Sequence, residues 1–192
     1  MTNRTDMTNE TNKSKIILPH GGYKNLMSYK NAVIVHDLTV MFTEKYIDRF
    51  SRTRDQMVQA ARSGKQNIAE GSMASGTSKE TEIKLVGVAR ASQEELLIDY
   101  QDFLRQHQLQ LWGKDDLRVA EIRKLTYATN RTSKTYETYM SAPESAANMM
   151  ICLIHQTNYL LDRLLQALGR DFAKDGGLRE RLFKARQNYR GY

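Results

Sequence analysis

Cysteine and proline are nearly missing from this chain of 192 residues, which holds one of the first, Cys152, and two of the second, Pro19 and Pro143. A single cysteine excludes an internal disulfide and fits a reducing compartment. Cys152 lies in an apolar stretch with no histidine or acid at nucleophile spacing, so it reads as a small buried hydrophobe rather than a reactive thiol. No apolar run reaches the length of a membrane span, and the N-terminus has no uninterrupted apolar segment of the kind a secretory signal needs. A cytoplasmic protein without membrane contact is the expectation. Glycine-rich phosphate loops are absent as well, since Gly71, Gly76 and Gly87 match neither the P-loop nor the dinucleotide fingerprint. The four histidines, His20, His36, His107 and His155, are scattered without zinc spacing, and there is no Glu-x-x-His pair of the di-iron type. These absences predict a protein with no metal, no cofactor and no catalytic constellation.

What is present is helix-forming. Strand signals are nearly lacking, and Ala, Leu, Gln, Glu, Lys and Arg fill the periodic stretches, which gives an all-α class. The formal net charge is +7 and the isoelectric point about 9.5. Such a balance favours a polyanionic partner, nucleic acid above all.

The most informative stretch runs from Gln56 to Gly71. Met57, Ala61, Gly64 and Ile68 recur at spacings of four, three and four, laying a stripe of small apolar groups along one helical face. Small residues let a neighbouring helix come close. Gly71 suits a helix C-terminus, and Thr77-Ser78-Lys79-Glu80 offers a capping box for a second helix. So short a connection makes the two helices an antiparallel hairpin. Gln56, Ala60, Ala61, Ser63 and the run Asn67 to Gly71 resemble the signature of the 23S rRNA intervening-sequence proteins, small four-helix bundles of bacteria. The resemblance spans residues 26–107, through Ser78-Lys79-Glu80 and the stretch Ala89 to Leu96. Beyond it the chain is similar to members with a C-terminal four-helix-bundle suffix region. The accessory variability determinants of diversity-generating retroelements share this structural group. The resemblance implies a homo-oligomer, a barrel-like pentamer in that group, with a basic surface that binds nucleic acid. Val58 and Gln59 stand where the family often has paired arginines before the two alanines.

Taken in order, residues 1–22 are predicted to be a disordered N-terminal segment, because they are rich in Thr, Asn and Lys and poor in apolar groups. Residues 23–170 are expected to form an antiparallel up-and-down four-helix bundle, with helices over 28–49, 52–72, 78–107, 115–127 and 146–168. In the first, Tyr29, Val33, His36, Val40, Thr43 and Ile47 are spaced by four and three with Ile34, Leu38 and Met41 adjoining, which makes a wide apolar face. Ser51 is the N-cap of the second. The third carries two apolar seams, so it contacts either two neighbours or one neighbour and another subunit. Residues 130–145 read as a loop or broken helix containing Pro143. In the last helix Met150, Leu153, Thr157, Leu160, Leu164 and Leu168 keep heptad-like spacing, and Gly169 ends it. Residues 171–192 form a basic C-terminal tail, in which Leu178, Leu182 and Ala185 allow a short amphipathic helix.

The candidate nucleic-acid-binding residues are Arg52, Arg54, Arg62 and Lys65 on the second helix and Arg179, Arg181, Lys184 and Arg186 in the tail. Arg118, Arg123 and Lys124 form a further basic group. Phe183 and Tyr189 among the tail arginines permit base stacking on single strands. No base-reading motif is present, so contacts to RNA or DNA would be mainly to backbone and shape. Gln56, Asn67, Glu70 and Gly71 are assigned a structural role, with Asn67 and Glu70 tying the following loop or an arginine across an interface. The alternative is a protein-interaction scaffold whose basic charge is incidental.

Overall fold

The computed structural model describes residues 16–126, 128 and 130–191. Among these the protein is all-helical, without strands. Six α-helices follow one another: α1 Met27–Tyr46, α2 Arg52–Ala74, α3 Lys79–Gln106, α4 Leu117–Leu125, α5 Pro143–Asp175 and α6 Leu178–Arg190. Two 3-10 segments, Gly22–Asn25 and Ser133–Ser141, precede α1 and α5.

Local chemistry explains most boundaries. The Ser51 hydroxyl accepts from Thr53 N–H and caps α2. Ser78, not Thr77, caps α3 by accepting from Thr81 N–H, while the Thr77 hydroxyl donates back to the Ala74 carbonyl. Asp116 caps α4. Pro143 opens α5 at the position where a missing N–H costs nothing.

Two expected helix ends are corrected. Gly71 lies inside α2 and is buried, and its bare Cα is what lets α3 close in, because a Cβ there would stand 3.2 Å from the Glu82 carbonyl and 3.3 Å from Leu85 Cβ. Gly169 lies inside α5, which runs on to Asp175. The turn falls instead at Gly176, whose φ of 68° and ψ of −169° only glycine adopts readily.

Helices α1 and α2, α2 and α3, α3 and α5, and α5 and α1 pack as neighbours. The first three pairs are antiparallel, as cross-contacts show: His36 meets Lys65 and Glu44 meets Arg54, Ser63 meets Ser92, and Glu94 meets Asn158 while Arg90 meets Asp162. Both seams of α3 are therefore occupied within one chain, one by α2 and one by α5. Helix α4 packs on the outside of α5.

The core falls into two clusters. The larger gathers Leu38, Phe42, Met57, Tyr100, Ile122 and Met150 with their neighbours; Phe42 meets Tyr100 and Phe103 edge-on at 4.8 and 4.9 Å. The smaller holds Ala32, Ile68, Val86, Ala89, Leu161 and Leu168. Between them on three helices stand polar or bare residues: Gly64 on α2, Gln93 on α3, Thr157 and Asn158 on α5, all buried.

The core of α1 centres on one side of the expected wide face, where Ile34, Leu38 and Thr43 are buried. Ala32, Val35, Leu38, Thr39 and Phe42 form the core face, while Val33, His36 and Val40 are half-buried. On α5 every residue from Ala146 to Ile154 is buried, because α1, α3, α4 and the second 3-10 segment surround it. Leu160 and Leu164 are only half-buried.

The disorder expected of residues 1–15, and the places of Tyr127, Thr129 and Tyr192, lie outside the described residues. Residues 16–22 belong to the fold: Gly21 N–H donates to the Ser72 carbonyl, and the Ile16 carbonyl accepts from Arg181.

Candidate nucleic-acid interface

The basic residues of α2 do not form one patch. Arg52 is exposed at the helix start and lines a shallow polar trough between α2 and α3 with Asp55, Gln56, Gln59, Ser63 and Glu95. Arg54, Arg62 and Lys65 face α1 instead. Arg54 stands 4.0 Å from Glu44, and Lys65 Nζ lies 3.3 Å from His36 Nδ1. Burial, followed by the Lys65 charge, holds His36 below the ordinary histidine range, so the ring is neutral and Nδ1 accepts from Lys65. With its lone pair used this way, Nδ1 has no proton for Asp37 Oδ1 at 3.5 Å, and Asp37 acts as a nearby negative charge. Only Arg62 is exposed and uncommitted on this face, among the described residues.

The motif residues have separate roles. Asn67 Nδ2 donates to the Ser63 carbonyl at 2.9 Å and to its hydroxyl at 3.1 Å, and Ser63 Oγ meets Ser92 Oγ at 2.9 Å. This chain ties α2 to α3. Gln56 is exposed, and Gly71 is the close-approach point already described. Glu70 is exposed and makes no hydrogen bond or ion pair within the described part of the chain.

The tail residues come together on α6. In thirteen residues this helix carries Arg179, Arg181, Lys184, Arg186 and Arg190 against one carboxylate, Glu180. Glu180 is itself committed: its Oε2 accepts from Gly177 N–H at 2.9 Å, and these backbone bonds hold its carboxyl below the usual range. No residue of α6 is buried; Phe183 is 63% and Tyr189 94% exposed. Arg181 anchors the helix start, donating to the Ile16 carbonyl at 3.2 Å and the Gly76 carbonyl at 3.4 Å. Leu178, Arg181 and Ala185 are half-buried, and the other residues of the helix are exposed.

A feature that the sequence reading missed lies on the far side. The outer face of α5, with α4 and the connection before it, forms a groove of about 860 Å³. Its cations are Lys114, Arg123 and Arg163, of which only Arg123 belongs to an expected basic group. The signal was present as a second stripe on α5, at Ile151, Cys152, His155 and Tyr159, opposite the heptad face. Cys152 is buried in its floor, which pushes its thiol up, with Arg123 opposing.

The class that this architecture defines is an all-helical protein; among the described residues no helix is long and apolar enough to cross a membrane. No protein-family model, curated protein or solved structure matches the chain.

Proposed function

We propose that this chain is a non-enzymatic, cytoplasmic helical-bundle protein that binds structured RNA or DNA through a basic surface, as an accessory to a larger nucleoprotein process. The observation that carries this reading is α6, a projecting helix with five cations, one committed carboxylate and two exposed aromatic rings. Cations on one turn-rich rod neutralise successive phosphates, and flat rings beside them stack on unpaired bases. The α2 face adds Arg62, while Lys65 and Arg54 are engaged with α1.

The antiparallel neighbours α1, α2, α3 and α5 support an up-and-down four-helix bundle with α4 and α6 as additions. A homo-oligomer, and a pentamer in particular, rests on the resemblance to the intervening-sequence group, because the seams of α3 are filled within the chain. Light scattering on the purified protein tests it.

Anisotropy of a labelled RNA hairpin and of duplex DNA, titrated with salt, tests the binding. A steep fall of log affinity with log salt is the expected result. No binding at low salt rejects the reading and leaves the scaffold, for which the anchored start of α6 is the supporting observation.

A further inference from the structure

The groove on the outer face of α5 has a shape and charge unlike the rest of the surface. Its floor is α5 itself, where lining residues recur from Asn148 to Arg163 at helical spacing. At about 1.5 Å per residue that floor is about 22 Å long. One wall is α4, which turns Val119, Arg123 and Thr126 toward the groove; the hydrogen bond from Thr126 Oγ1 to Gln156 Oε1, 2.8 Å, pins the end of α4 to the floor. Past that point Tyr159 and Arg163 are exposed and Leu160 is half-buried.

Half of the lining residues carry polar groups, but most of the surface that the groove exposes is apolar. Met27 is 46%, Leu111 53% and Tyr159 61% exposed along it, large apolar surfaces that a binder would remove from water. No aspartate or glutamate lines the groove. Its three cations, Lys114, Arg123 and Arg163, have no carboxylate within 4.0 Å among the described residues, whereas Arg54, Lys79, Arg90, Arg105 and Arg118 each have at least one. Arg123 is held in place by donating to the Lys114 carbonyl at 3.1 Å, so its remaining donors are directed without being satisfied by an acid.

From these observations we infer that the groove is the docking site for an acidic amphipathic helix of a protein partner. An apolar trough between two helices is filled by a third through apolar residues at spacings of three and four. The unpaired cations at its ends call for glutamates or aspartates flanking that apolar face. The apolar groups of floor and wall, Leu111, Val119, Ile151 and Leu160 among them, are surface that the sugar and phosphate of a nucleic-acid strand would leave uncovered. This site is distinct from α6 and does not depend on it.

The test uses the whole chain and a designed peptide of about sixteen residues, helical, with leucines on one face and glutamates beside them, free of Trp and Tyr. Trp112, the only tryptophan of the chain, sits at one end of the groove and reports occupancy by its emission. The peptide is expected to shift that emission saturably, while a scrambled peptide of the same composition does not. Arg163→Glu alone, and with Arg123→Glu, is expected to weaken binding about tenfold or more; both side chains are exposed, and circular dichroism checks the fold. A variant neutralised at Arg179, Lys184 and Arg186 is expected to bind the peptide as the parent does, which separates this site from the nucleic-acid surface. The inference is overturned if the peptide does not bind, if it binds the double variant equally well, or if single-stranded RNA shifts Trp112 in its place with the same dependence on Arg123 and Arg163.

Discussion

Gln93 is wholly buried against the backbone of Gly64, and neither of its amide atoms has a hydrogen-bond partner among the described residues. A Cβ at position 64 would overlap Gln93 Nε2 and stand 3.1 Å from its Cδ. The glycine and the glutamine thus define each other, and α2 and α3 approach closely only because one of them has no side chain.

Alanine scanning of glycines should therefore give opposite signs in two helices. Gly64→Ala is expected to destabilise by about 1–3 kcal/mol, as overpacking does. Gly169→Ala, at a helical position with no atom within 4 Å of its Cβ, is expected to stabilise by about 0.5–1 kcal/mol. Urea unfolding of the two variants checks the contrast.

The unsatisfied amide makes a further prediction. Gln93→Met keeps the shape and removes two orphaned polar atoms, so a gain of about 1–2 kcal/mol is expected. An unchanged or lower melting temperature would show that the amide is bonded in solution.

Asp99 supplies a pH dependence. Burial, then Glu95 and Asp102, raise its carboxyl from 3.8 to about 6. The folded state therefore holds this proton more tightly than the unfolded chain, and its contribution to stability, complete below about pH 4, is lost as pH rises through 6. Asp99→Asn is expected to stabilise at pH 7 by about 1 kcal/mol, less than the full shift implies because the group is partly solvated. The gain should vanish below about pH 4, as denaturant unfolding at the two pH values would show.

Lys65 holds His36 down by charge, second to burial. Lys65→Met is expected to raise the His36 titration part of the way toward the ordinary range, leaving the share due to burial. Proton NMR of the ring reports this directly; an unmoved pKa would mean that the Lys65 contact does not form.

On α6, replacing Arg179, Lys184 and Arg186 with glutamine removes up to three phosphate contacts. The slope of log affinity against log salt is expected to flatten by about 2–3 on duplex DNA, against about 1 for Arg62→Gln. A slope unchanged by the triple variant would place the nucleic-acid surface elsewhere or remove it.

Much of this architecture is readable from residues. Ser51, the small stripe of α2 and the α2–α3 hairpin follow from local chemistry that tertiary packing did not need to override. Gly71 and Gly169 misled because glycine serves two purposes, ending a helix or admitting a neighbour, and only the packed partner tells which. On α1 apolar groups surround the axis, so periodicity could not select the face led by Leu38 and Phe42 over that led by Val33 and Val40. Of the candidate interface, the cluster on α6 was visible as composition, whereas the engagement of Lys65 with His36 joins residues 29 apart in the chain. The groove was hidden for a similar reason: Lys114, Arg123 and Arg163 sit on three segments that meet only in the fold.

The buried polar layer at Gly64, Gln93, Thr157 and Asn158 divides the protein mechanically as well as chemically. Apolar contacts do not run continuously through it, so the end built on Ala32, Ile68, Val86, Ala89, Leu161 and Leu168 is the thinner part and should exchange its amide hydrogens before the thicker end does. Helix α6 projects from that thinner end. The basic rod is thus mounted on the half of the molecule that opens first, and a polyanion that grips it would tighten the half that most needs tightening.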